Sequence, residues 1–227
     1  MATVQAPAEQ RLLLSCIDWP SYLTFGDLLD ERHVRLTYDR GELEFMTLSP
    51  EHERAKKLLA RLLEALTDEM DIDVAGFGSM TFRREDLERG LEPDECYWIA
   101  HEPGIRGRNE IDLARDPPPD LVIEIEISRS ALNRMGLYAA MGVPEVWRFD
   151  GQTLRFCLLA TNGRYAESEQ SQALPFLSAA ALAPFLAQSA VLSETKLIRA
   201  FRAWVREQAA QGWAPPSGRP PSPEEGG

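Results

Sequence analysis

Acidic residues stand at strand-like spacing in two places of this 227-residue chain: Glu92 and Asp94, then Asp120, Glu124 and Glu126. Across residues 120–128 the odd positions are Leu121, Ile123, Ile125 and Ile127, and the even ones are Asp120, Val122, Glu124, Glu126 and Ser128. In a strand this period-two alternation puts the apolar set on one face and the acids on the other. Glu124 and Glu126 then lie about 7 Å apart along that face, from a rise of roughly 3.3 Å per residue. Two like charges on so apolar a strand are costly unless a cation, a proton or water compensates them. A divalent metal is one answer. Mg2+ takes carboxylate and water oxygens, activates water and offsets charge on a phosphodiester. A strand with one face open to water is the other, and by spacing alone the commoner.

Several elements must position these acids. Ser49, Pro50, Glu51 and Glu53 form a helix start for residues 50–69, with a serine cap, a proline in the first turn and acids facing the positive end of the dipole. Its apolar stripe is Ala55, Leu58, Leu59, Leu62, Leu63 and Leu66. At 100° per residue His52 and Lys56 fall on the border of that stripe and Lys57 points away. Residues 34–38 and 42–46 read as a hairpin turning at Gly41, and residues 146–149 and 153–159 as another turning at Asp150-Gly151. Residues 72–82 and 91–99 suit strands, the second tolerating Pro93 near its start. A short helix over 131–141 ends at Gly142 and Pro144, and the Ala/Leu-rich region 176–209 is helical. The expected organisation is a leader over residues 1–17, one domain over 18–209, and a disordered Pro/Gly-rich tail over 210–227. The expected fold is α/β, a mixed, twisted sheet of roughly five or more strands flanked by α-helices, with the 50–69 helix on one side.

Composition narrows the function classes. The chain is 44% hydrophobic with a formal net charge of −12, which argues against non-specific coating of nucleic acid but not against a nuclease with an acidic metal site. No apolar run reaches the ~18 residues of a membrane span, and the N-terminus lacks a charged and then apolar leader. The three cysteines, Cys16, Cys96 and Cys157, form no CxxC. A cytoplasmic protein without disulfides is expected.

Three stretches resemble the Uma-two family of restriction-endonuclease-like proteins, within the PD-(D/E)XK nuclease superfamily. They are Pro119-Asp120-Leu121-Val122-Ile123-Glu124-Ile125, the box Gly142-Val143-Pro144-Glu145-Val146-Trp147 with Tyr138 before it, and Glu92-Pro93-Asp94. Gly41 to Met46 and Ser49-Pro50-Glu51-His52 also look like family motifs, so the resemblance spans residues 20–160 or so. It implies an Mg2+- or Mn2+-dependent endonuclease hydrolysing DNA, with a homodimer to cut both strands. It makes Asp94 the first metal acid and Glu124 the second. The superfamily pattern places a lysine two residues after the second acid, where this chain has Glu126. Glu126 would then be a third ligand or a base for the water. Of the three lysines, Lys56 is the best replacement, with Arg134 of the following helix second. His52 would orient water or phosphate, and Asp120 would support the strand. The alternative is a nuclease fold kept without its chemistry, as a binding module for nucleic acid or a protein. Plainer roles stand beside each assignment: capping for His52, packing along the helix for Lys56, a turn for Asp120, and core packing for Trp98, Trp147 and Cys96.

Overall fold

The computed structural model describes residues 9–29 and 32–214. The chain runs β1 (Arg11–Leu14), α1 (Trp19–Leu29), β2 (Val34–Asp39), β3 (Glu42–Thr47), α2 (Pro50–Glu69), β4 (Ala75–Gly76), β5 (Phe82–Arg84), β6 (Arg89–Leu91), β7 (Glu95–Trp98), α3 (Glu102–Ile105), β8 (Leu121–Ile125), α4 (Arg134–Ala140), β9 (Glu145–Phe149), β10 (Leu154–Leu159), β11 (Tyr165–Ser168), α5 (Ala179–Gln188) and α6 (Glu194–Ala210). The fold is α/β with a mixed sheet flanked by helices, and the strands divide between two sheets where one was expected. One sheet has the order β1-β3-β2-β6-β5, the other β11-β10-β9-β8-β7-β4. In the second, β8 and β9 run parallel and the remaining pairs are antiparallel.

The division has a local cause. Residues 91–99, read as one strand, are interrupted by Pro93, which has no N–H to give a ladder. The chain therefore leaves the first sheet after Leu91 in β6 and enters the second at Glu95 in β7. Residues 72–82 divide in the same way into β4 and β5, with Gly78 at φ +57° between them. Residues 120–128 pair as a strand only over Leu121–Ile125; Glu126 still donates its N–H to the Phe149 carbonyl at 2.8 Å. Part of the segment read as a leader, Arg11–Leu14, is a strand paired in register with β3, Arg11 opposite Met46 and Leu14 opposite Leu43. The tail from residue 215 onward lies outside the described residues.

Alternation decides which faces meet. Leu121, Ile123 and Ile125 of β8 pack against Leu59, Leu62 and Leu66 of α2 and Phe201 of α6. Burial of each such side chain contributes about 1.5–3 kcal/mol. Val122, on the opposite face, packs with Leu137 and Tyr138 of α4. In the first sheet Leu36, Tyr38 and Leu43 are covered by Trp19 and Tyr22 of α1. The other face of that sheet carries Arg35 and Thr37 of β2 and Glu44 of β3, and all three are buried. Two nominally polar faces, one from each sheet, thus lie inside the molecule.

Glu145 of the Gly-Val-Pro-Glu-Val-Trp box is wholly buried and structural. It accepts from Trp147 Nε1 at 2.6 Å and from the backbone N–H groups of Gln172 and Ala173, both at 2.8 Å, tying β9 to the chain before α5. Glu145→Ala leaves three donors without their acceptor, the Trp147 N–H among them fully buried. It should lower the unfolding free energy by at least about 1–3 kcal/mol, read from urea midpoints.

Candidate active site

The buried polar faces meet where the crossing segment Glu92-Pro93-Asp94 passes from one sheet to the other. Two arginines hold this segment. Arg35 Nη1 donates to the Pro93 carbonyl, and Arg134 Nη2 donates to the Glu92 carbonyl at 2.8 Å. Asp94, 2% exposed, is thereby fixed against β8: its Oδ2 accepts the Ile125 N–H at 2.7 Å. Its Oδ1 accepts from His52 Nε2 at 2.7 Å and stands 3.3 Å from Arg35 Nη2. Burial pushes the Asp94 carboxyl up, but the His52 hydrogen bond, the Arg35 charge and the Ile125 N–H together hold it below its ordinary value.

Glu124 is 4% exposed, so the face of β8 that carries it is not open to water. Arg134, at the first turn of α4, grips it with both arms of the guanidinium, Nη2 to Oε1 at 2.6 Å and Nε to Oε2 at 3.1 Å. Tyr138, one turn further along α4, donates its hydroxyl to Oε1. Arg134 is positioned by Asn133, whose side chain caps the helix on the Gly136 N–H, and by Thr37, whose hydroxyl accepts from Nη1. Burial raises the Glu124 carboxyl, and the nearby charge of Asp94 adds to this against the pull of Arg134. Burial alone would discharge Arg134, but Glu124 holds its pKa above the ordinary value. A guanidinium does not surrender its proton in a protein, so Arg134 stays charged beside Glu124.

His52 is 0% exposed and enters from the first turn of α2, where Ser49 caps its N–H at 3.1 Å. Its ring lies between two carboxylates, Asp94 on Nε2 and Glu9 on Nδ1, each at 2.7 Å. Burial works against its charge; the hydrogen bonds to Asp94 and Glu9 outweigh it and push the pKa up to about 9.

The structure therefore brings together Asp94, Glu124, His52 and Arg134. Lys56 pairs instead with Glu53 at 2.8 Å, one turn back on α2. Glu126 pairs with Arg148 of β9, Oε2 to Nη2 at 2.5 Å, and joins none of the hydrogen bonds around Asp94 or Glu124. Asp120 sits at the other end of β8, where it accepts from the Ile99 and His101 N–H groups at 2.7 and 3.0 Å and from His101 Nδ1 at 2.6 Å. Trp98 and Trp147 are core residues, Trp147 stacked on Phe156 at 4.4 Å. The sequence reading missed Arg35, Tyr138 and Glu9. Arg35 carried a signal, since it alternates with Leu36 on β2 as Glu124 alternates with Ile125 on β8. Two such polar faces can cover each other.

The two carboxylates that would hold a divalent cation already accept from protein donors. A carboxylate offers about four acceptor directions. Asp94 uses two, on His52 and Ile125, with Arg35 in ion-pair contact, and Glu124 uses three, on Arg134 twice and Tyr138. Two protein carboxylates with water and phosphate oxygens are a common way of holding Mg2+. Among the described residues no group of three or more His, Cys, Asp and Glu could hold a metal ion by itself.

Residues 19–192 match the model of the Uma2 family, described as "Putative restriction endonuclease". The chain is similar to a crystal structure described as a "putative nuclease belonging to DUF820" from Anabaena variabilis, with 14% identity, 68% of this chain and 84% of that chain covered, and a TM-score of 0.40. No curated protein matches the chain. Among the described residues no helix is long and apolar enough to cross a membrane.

Two outcomes follow from the ion pairs. Arg134→Met leaves Glu124 buried without its cation and should cost about 3–5 kcal/mol of stability at pH 8. The uncompensated carboxyl then takes up a proton on folding, so the gap in urea midpoint from wild type should narrow as pH falls. For His52 the sign is reversed. Its folded value of about 9 lies above the ordinary 6.5, so its contribution is full below pH 6.5 and is lost as pH rises through 9. Wild-type stability should decline over that window, and His52→Gln should remove most of the decline.

Proposed function

Because the chain belongs to the Uma2 family, whose model is described as "Putative restriction endonuclease", we propose that it hydrolyses phosphodiester bonds of DNA with Mg2+ or Mn2+ at Asp94 and Glu124. The observation that carries this reading is that Asp94 lies against β8, hydrogen-bonded to the N–H next to Glu124, with its charge felt by that carboxylate. A divalent ion bound there would activate water and offset charge on the scissile phosphate. The chain's own residues do the positioning. His52 and Arg35 keep Asp94 ionised and aimed. Arg134, anchored on Thr37 and the Glu92 carbonyl, orients Glu124 and places a fixed cation where the phosphate's charge develops. Glu126 and Lys56 take no part in this assignment, since each is engaged elsewhere. A homodimer would supply two such centres, one for each strand of a duplex.

A second reading rests on a specific observation. Both oxygens of Glu124 already accept from Arg134, and Tyr138 adds a third donor. Kept in that state, the centre is an internal ion-pair network, and the protein binds nucleic acid or a protein partner without cutting. Calorimetry with Mn2+ and a cleavage assay on varied DNA substrates separate the two. On the hydrolytic reading wild type binds Mn2+ and Glu124→Ala does not. Asp94→Ala and Glu124→Ala each lower cleavage at least about 100-fold, while Glu126→Ala and Lys56→Ala cut close to the wild-type rate. A wild type that neither binds Mn2+ nor cuts would leave the binding module.

A further inference from the structure

The segment before the family match reaches into the centre. Glu9 and Arg11 precede residue 19, where the match begins, yet both lie in the hydrogen-bond network. The segment is held on β3 by backbone pairing: Thr47 N–H donates to the Gln10 carbonyl at 2.9 Å, and Arg11 to Leu14 run antiparallel to Met46 to Leu43. From there the Glu9 side chain, 1% exposed, turns inward. One oxygen meets His52 Nδ1 at 2.7 Å and the other accepts the Ser128 hydroxyl. Arg11 completes the hold on the chain just past β8. Its Nε donates to Ser128 Oγ at 2.8 Å, its Nη2 to the Ser128 carbonyl at 3.2 Å, and its Nη1 to Glu44 at 2.7 Å. Glu44 in turn accepts from Ser130 and the Ala131 N–H, both at 2.7 Å, on the approach to α4.

The geometry points to Glu9 as a positioning residue: it fixes the His52 ring so that Nε2 faces Asp94, with Arg11 fixing the exit of β8 beside it. The physical reason is that an imidazole with one free nitrogen can rotate and exchange tautomers, whereas one gripped at both ends cannot. The inference concerns how the proposed nuclease centre is held, and so rests on that reading for its catalytic consequence alone.

The test compares wild type with Glu9→Ala and Glu9→Gln, the glutamine keeping an acceptor for Nδ1–H without the charge. Side-chain 1H–15N spectra of the full chain at one pH should show both His52 ring N–H groups in wild type. Glu9→Ala should lose the Nδ1–H signal and Glu9→Gln should restore it. In the cleavage assay kcat should fall about 10- to 100-fold in Glu9→Ala with little change in KM, and recover in Glu9→Gln. Unchanged His52 signals in Glu9→Ala would overturn the assignment. If wild type proves inert on DNA, the spectra decide the role of Glu9 by themselves. If Glu9→Ala does not fold, Glu9→Gln carries the test: a wild-type His52 pattern there supports an acceptor role, and loss of the Nδ1–H signal overturns it.

Discussion

Two carboxylates buried side by side between two sheets are the constraint from which much of this fold follows. Taking one ion out of water costs several kcal/mol even after relaxation, and a second like charge nearby adds to it. The chain answers with cations from three separate elements: Arg35 from β2, His52 from α2 and Arg134 from α4. Each is itself nearly or wholly buried, so none is stable there without its acid. The dependence is mutual. Two sheets and two helices are thereby tied to one seam by directional contacts, where apolar packing alone would allow them to slide.

Pro93 sets the seam's position. Had residues 91–99 continued as one strand, Asp94 would have been a ladder residue with one fixed neighbour. The break lets the segment cross between sheets, and its carbonyls at Glu92 and Pro93 become acceptors for the two arginines. The same guanidinium groups thus hold the backbone that presents Asp94 and stand beside the acids themselves. Arginine suits this double duty because its five N–H donors lie in a rigid fork, which an ammonium lacks.

Much of this was legible in the residue order, and what was not has identifiable causes. The Ser49-Pro50 helix start, the alternation of β8 and the turn at Gly41 are local signals, and each corresponds to an observed element. The split into two sheets is non-local. It depends on which strands pair at long range, and only Pro93 and Gly78 mark the crossings. Glu9 was lost for a similar reason, since nothing near it in sequence shows that Arg11–Leu14 pairs with β3. The helical wheel put both His52 and Lys56 at the border of the α2 stripe. Only His52 turns inward, because its short ring meets Asp94 and Glu9 there, whereas the long Lys56 chain reaches Glu53 on its own helix. The face of β8 bearing Glu124 suggested water or metal as the partner of its acids. The partners present for Glu124 are Arg134 and Tyr138 of α4, with Thr37 of the other sheet anchoring Arg134, which a strand-by-strand reading does not bring into view.

The cations also bear on how a net negative protein would meet a polyanion. At −12 its overall field opposes approach, and at physiological salt that field fades over about 8 Å. Whatever favours a phosphate must therefore act at short range. Arg134 is the natural contributor, because a phosphate offers its fork the same pair of oxygens that Glu124 now does. A phosphate taking up part of that fork would relax the grip on Glu124 and free lone pairs on its carboxylate for another cation. On the proposed hydrolytic function, substrate and metal would then favour each other through a single side chain, while the anchors of Arg134 on Thr37 and the Glu92 carbonyl keep the guanidinium in place. Lysine in that position could supply the charge but not the exchange between two bidentate partners. Arg134 stands on α4 and not on the strand that carries Glu124.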